Sequence, residues 1–357
     1  MRVKLCLPLG RIFLLFLLSG VISNSSSAQI IQVVCQGKGG QDSSFYDIFQ
    51  FSDNKYWIGG EYGILKQLNN EGNLTSVVYP NLGVSILKIA QQGEESILMA
   101  GDKGTLYRKK DKLSAWEIFQ PAGYKNKCFY DLTIVNDSIA LMCGGKSKIA
   151  YGKKSIPGGF ILKTEDRGVT WKKVFGRTVR MFWRIKPMKI KGEFYLLSYA
   201  PWGSRIFKSS DNGDSWKKTE FKSNNLWYDL KVNPSGNLIC HGGKNGQIYQ
   251  KGSGCIDNLS DSKSRNQLLK QQPLNWVWDY GFTDDWEVMT SMRGQMNIKN
   301  QADENWQLIS LPTGGNLYKI CPNTPNSFWV IGSQQGVYRV SLPDGETSKK
   351  TSSKSEQ

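Results

Sequence analysis

A four-residue motif recurs seven times along the chain, and that repetition limits the fold more than any other feature. The motif is two bulky residues, a charged residue and a further apolar one. It reads Phe45-Tyr-Asp-Ile48, Ile86-Leu-Lys-Ile89, Phe129-Tyr-Asp-Leu132, Phe182-Trp-Arg-Ile185, Trp227-Tyr-Asp-Leu230, Val277-Trp-Asp-Tyr280 and Leu317-Tyr-Lys-Ile320. The second bulky positions are 41, 43, 53, 45, 50 and 40 residues apart. After each copy come a polar turn, an apolar run, a second turn that often carries glycine (Gly60–Gly63, Gly101–Gly104, Gly243–Gly246, Gly332–Gly336) and a third strand. A fourth strand often opens on tryptophan, as at Trp116, Trp171, Trp216 and Trp306. Each repeat is therefore expected to form one four-stranded antiparallel sheet. Such a sheet cannot bury both faces alone, so seven copies predict an all-β, seven-bladed propeller.

Composition agrees. The 37 glycines and 42 aromatic residues suit many short strands joined by tight turns, and 39% apolar content is too low for a polytopic membrane protein. The last repeat supplies only three strands, ending near Gly336–Leu342. The unassigned run Ile30-Ile-Gln-Val-Val34 is expected to complete that blade and close the ring. The domain division is a leader over 1–28, the propeller over 29–342, and a polar, lysine-rich, disordered tail over 343–357.

The leader reads as a signal peptide. Arg2, Lys4 and Arg11 precede the apolar run Ile12–Leu18, and small residues end at Ser26-Ser27-Ala28. A membrane anchor is the alternative, but the run is roughly half of the ~20 residues a spanning helix needs. Cleavage after Ala28 would leave an exported protein, periplasmic or secreted. It would also lower the net charge from +16 to +13, an excess made mostly of lysine. Dispersed lysine suits general attraction to anionic surfaces, and no arginine-rich motif of a nucleic-acid reader is present. Six cysteines remain (Cys35, Cys128, Cys143, Cys240, Cys255 and Cys321), an even number that permits disulfides, with free buried thiols as the alternative. None has zinc spacing and the chain has one histidine, His241, so neither a metal nor a cofactor is expected. His241 is expected in a turn. Gly144-Gly-Lys-Ser147 lacks the earlier glycine of a phosphate loop.

Two turns between third and fourth strands share a signature: Thr164-Glu-Asp166-Arg-Gly168-Val-Thr170-Trp171 and Ser209-Ser-Asp211-Asn-Gly213-Asp-Ser215-Trp216. Their residue types suit a structural turn. Aspartate accepts turn amides, glycine takes positive φ, and tryptophan packs the turn on its blade. Both segments resemble the Asp-box, or BNR repeat, and Lys109–Trp116 and Gln301–Trp306 look like eroded copies. Asp-box propellers include sialidases, xyloglucan hydrolases, sortilin-type receptors and assembly factors of the Ycf48/HCF136 type, which help to build photosystem II. A single seven-bladed ring behind a leader most resembles the last group, which implies a protein-binding assembly role. The Phe/Tyr-Arg-Ile-Pro opening of sialidases has its nearest match in Phe182-Trp-Arg184-Ile-Lys-Pro187, with an insertion and in the fourth blade rather than the first.

In propellers of this kind ligands usually meet the face formed by loops entering each innermost strand and loops between strands two and three. Near it the charged motif position reads Asp47, Lys88, Asp131, Arg184, Asp229, Asp279 and Lys319 around the ring. One expectation is an inter-blade salt-bridge ring. The other makes it the floor of a polar pocket walled by Tyr62, Trp202, Lys244 and Arg293. Two insertions, Lys146–Gly159 with Lys146, Lys148, Lys153 and Lys154, and the polar Cys255–Gln272, lengthen the ring unevenly. The first is a basic contact surface in this scheme. Two functions stay open: a non-enzymatic, monomeric scaffold that holds a protein partner at or near a membrane, and a carbohydrate-binding protein or glycoside hydrolase. The hydrolase would use Asp229 and Asp279, adjacent in ring order with no basic residue between them, with Asp131 as a third candidate.

Overall fold

The computed structural model describes residues 29–36, 43–51, 55–146, 158–188, 190–224, 226–232, 238–242, 247–251, 276–301 and 306–343. These residues form seven antiparallel sheets, six with four strands and one, blade 5, with three among the described residues. The innermost strands are Phe45–Gln50, Ile86–Gln92, Lys127–Ile134, Met181–Pro187, Asp229–Val232, Asp279–Phe282 and Leu317–Thr324, one per recurring motif. Blade 7 is closed as expected: Ile30–Cys35 pairs antiparallel with Val337–Ser341, so the two ends of the propeller share one sheet. That closure covers an edge that would otherwise expose unpaired N–H and C=O groups.

The motif's two apolar ends lie three residues apart, a spacing a regular strand cannot place on one face, because its side chains alternate. A β-bulge resolves the conflict. The ladder slips between Phe45 and Asp47, Ile86 and Lys88, Phe129 and Asp131, Phe182 and Arg184, and Leu317 and Lys319. The extra residue at the slip is the second bulky one, which is thereby re-aimed. Both apolar ends then enter the same inter-blade core: Phe129 with Leu132, Phe182 with Ile185, Leu317 with Ile320. Seven hydrophobic clusters of this type sit among the described residues, each spanning two neighbouring blades. Between blades 3 and 4, for example, Leu141, Cys143 and Ile161 meet Phe182, Ile185 and Leu196. Blade contacts are close enough that a Cβ on Gly59 would lie 2.5 Å from Ile86 Cγ2.

The two signature turns share one hydrogen-bond net. Ser215 N–H and Oγ–H donate to Asp211 Oδ1 and Oδ2 at 2.9 and 2.6 Å, and Gly213 N–H donates to Ser209 Oγ at 2.9 Å. The Trp216 indole N–H donates to Gly213 O at 3.0 Å. Thr170, Asp166, Gly168, Thr164 and Trp171 repeat the arrangement in blade 3. Burial acts to raise both aspartates, but the hydroxyl and amide donors win and hold Asp166 and Asp211 below the usual carboxylate range. The turns also tie blades together: Arg108 of blade 2 donates to Arg167 O at 3.2 Å, and Lys163 of blade 3 reaches Asp214 of blade 4 at 2.7 Å. Of the eroded copies, Asp111 still caps its turn through Leu113 and Ser114, whereas Asp303 lies outside the described residues. Cys128, Cys143, Cys240 and Cys321 are free thiols buried within the sheets.

Candidate functional site: a cationic funnel with an aromatic collar

The second bulky residues of the motif converge on the axis. Tyr130, Trp183, Tyr228, Trp278, Tyr318 and Tyr46 form an unbroken chain of ring contacts with centroids 4.6, 5.9, 5.2, 5.2 and 5.8 Å apart. Leu87 fills the remaining sector and completes the lining of a funnel. Below this collar lies the charged motif position, and the funnel encloses about 150 Å³ down to it. A second cavity opens beneath, and Lys88, Asp131 and Lys186 line both, so the charged layer is a constriction in the axial channel.

All seven predicted ring residues do come together, as inter-blade ties. Asp47 accepts the Ile89 N–H of the next blade at 2.8 Å and pairs with Lys88 at 3.3 Å. Asp131 accepts the Ile185 N–H at 3.0 Å, and Asp279 accepts the Ile320 N–H at 3.0 Å. Arg184 lies 3.6 Å from Asp229, and Lys319 sits 3.3 Å from Asp279 and 3.8 Å from Asp229. Two cations join that the motif position alone does not reveal. Lys186 lies 3.3 Å from Asp131 and 3.5 Å from Asp229, and Lys231 lies 3.0 Å from Asp279. Each stands two residues past a ring residue, Arg184 and Asp229 respectively, so period-two alternation along the strand was the signal that marks them as channel-facing.

The four carboxylates are sunk and the cations stand forward. Side-chain exposure is 1–3% for Asp47, Asp131, Asp229 and Asp279, but 16–22% for Lys88, Arg184, Lys186, Lys231 and Lys319. Burial works to raise the Asp229 carboxyl, yet Lys186, Arg184, Lys319 and Lys231 together hold it well below the carboxylate range. Asp279 is likewise lowered against its burial by Lys231 and Lys319. Lys231 is pushed down to about 8 by burial first, with repulsion from Lys319 and Lys186 added to it.

That arrangement alters the proposed carboxylate pair. Asp229 and Asp279 do approach within 4.8 Å, but cations crowd both, and ordering by motif position alone missed Lys231 and the reach of Lys319. A glycosidase acid needs its pKa raised, and both groups are shifted the other way. His241 is not in a turn. It lies in the strand Leu238–Gly242, fully buried opposite Asp229, with Nε2 3.9 Å from Asp279 Oδ1. Burial pushes it down to about 4, so it is neutral near pH 7. Asp229, His241 and Asp279 cluster tightly enough to hold a cation in principle. The ammonium group of Lys231, at 3.0 Å from Asp279, already supplies that charge.

The expected outer walls stand elsewhere. Tyr62, Trp202 and Arg293 lie in turns between second and third strands, exposed on the rim and outside the funnel lining. Lys244, Lys148, Lys153, Lys154 and the insertion Cys255–Gln272 lie outside the described residues. The rim carries further exposed apolar side chains where loops descend into innermost strands, Leu82 before blade 2 and Val179 before blade 4. Arg180 sits 5.9 Å from the Trp202 ring, which holds that patch together.

No protein-family model and no curated protein matches the sequence. Solved structures do match in shape. Ycf48 bound to D1 peptide superposes with a TM-score of 0.64 at 14% identity, over 88% of this chain and 95% of that one. Ycf48 from Cyanidioschyzon merolae gives 0.65 at 13%, over 87% and 98%. The chain has the propeller fold of these proteins. Virginiamycin B lyase from Staphylococcus aureus, an enzyme, superposes nearly as well, with 0.61 at 10% identity over 88% and 100%. Shape alone thus spans binding and catalytic propellers, and the local chemistry has to decide between them.

Proposed function

We propose that this chain is an exported, non-enzymatic propeller of the Asp-box, Ycf48-like kind that holds a protein partner on its loop-bearing face. The observation that carries this reading is the rim. Large apolar side chains are exposed on the face where the loops gather, with Trp202 at 59% and Tyr62 at 68% exposure, while the channel carboxylates are spent on holding blades together. Ycf48, one of the proteins of this shape, was solved with a bound peptide, which supports a polypeptide as occupant of such a scaffold. Export is supported by the position of the closing strand. It begins at Ile30, so cleavage after Ala28 leaves it whole.

Two results test this. N-terminal sequencing of the protein from its native envelope fraction should begin at Gln29; an uncleaved Met1 would overturn the export step. Mild cross-linking of the mature protein in detergent-solubilised envelopes should give a stoichiometric partner, joined at lysines of the loop-bearing face. A glycoside hydrolysis panel should be negative. Turnover abolished by Asp229→Asn would transfer the assignment to the carbohydrate-active alternative.

A further inference from the structure

The funnel has a chemistry of its own, separate from the rim. Its lining includes Lys88, Arg184, Lys186 and Lys319 against three carboxylates, Asp47, Asp131 and Asp229, and the adjacent pair Lys231–Asp279 leaves that surplus of one positive charge unchanged. Glu61 stands behind Tyr46 and outside the funnel lining, where it accepts from the Ser44 N–H and the Tyr46 hydroxyl. What a molecule entering from the mouth meets is therefore cationic at the floor and aromatic on the walls, because the acids are fully buried whereas the cations keep about a fifth of their side chains exposed. The indole N–H groups of Trp183 and Trp278 are buried with no hydrogen-bond partner among the described residues.

We propose that this funnel is a binding site for an organic monocarboxylate with a flat, apolar body, the carboxylate lying over the partly exposed lysines and the body between the collar rings. Charge selects the class. One surplus cation in a narrow channel matches a monoanion, whereas a dianion would leave charge uncompensated at a high desolvation cost. An aromatic collar alone could also attract an ammonium group. Here the face of Tyr228 is already taken by Arg184, at 5.1 Å, and the lysines below repel a second cation. The enclosed 150 Å³ admits a group about the size of one ring and its carboxylate. That group could be a free acid or the aromatic C-terminal residue of a chain.

The test uses the full mature protein and calorimetric titration with four probes: phenylacetate, phenylacetamide, Gly-Gly-Phe as the free acid, and the same tripeptide as its C-terminal amide. At least one acid should bind one-to-one, at least tenfold tighter than its own amide, and should weaken as salt is raised. Phenylacetate binding identifies a free acid as sufficient, and binding of the tripeptide acid alone identifies a chain end. Lys319→Gln should weaken the acid and leave amide binding unmoved. Equal responses to acid and amide, or no binding by either acid, overturns the site. The inference does not rest on the partner reading: acid binding can fail while capture through the rim persists, and the reverse.

Discussion

At the scale of single residues, the strongest constraint is that polar groups inside the ring are tied to one another. His241 is the clearest titrating case. Burial depresses its folded pKa to about 4, whereas an unfolded imidazole titrates near its ordinary value of 6.5. Between those values the unfolded chain binds more protons, so stability falls as pH drops from about 6.5 to 4. Denaturant unfolding at pH 7 and pH 5 should show this loss, and His241→Gln should flatten the slope. Gly213 makes a different prediction. It holds φ +86°, and a Cβ there would lie 2.5 Å from Leu141 Cδ1 of the neighbouring blade. Gly213→Ala should therefore cost about 2 kcal/mol or more in urea unfolding, from backbone strain and overpacking together.

At the scale of elements, the closing strand and the bulge matter most. Ile30–Cys35 pairs along Val337–Ser341 and packs Ile31, Val34 and Cys35 against the cores on either side of blade 7. Deleting residues 29–36 should lower Tm by an amount on the order of 10 °C by calorimetry, since the final blade loses both its edge and its cover. An unchanged melt would show that the strand is dispensable. Blade number, strand order and this closure were all legible in the sequence, because hydrophobic periodicity and turn residues are local. The bulge was legible only indirectly, in the three-residue spacing of apolar ends such as Phe45 and Ile48. The collar is not legible there, because its members come from different blades and meet only after the ring closes. The same holds for Lys186 and Lys231, whose partners, Asp131 and Asp279, belong to neighbouring blades.

At the scale of the whole molecule, seven similar sheets give a ring whose two ends of the axis differ. The signature turns lie on the face opposite the mouth and act as ties between blades, while the loop-bearing face combines an exposed apolar rim with a cationic funnel. This division separates stability from recognition. Substitutions of the buried carboxylates in the ring should act first on folding, and substitutions on the rim on binding. The direct test is partner capture from cross-linked, detergent-solubilised envelopes by the wild-type protein and by the double variant Tyr62→Ala/Trp202→Ala, with thermal melts recorded for both. The expected result is one stoichiometric partner with the wild type, a loss of at least tenfold with the variant, and superimposable melts. Capture that is absent with the wild type, or unchanged in the variant, would contradict recognition through the rim.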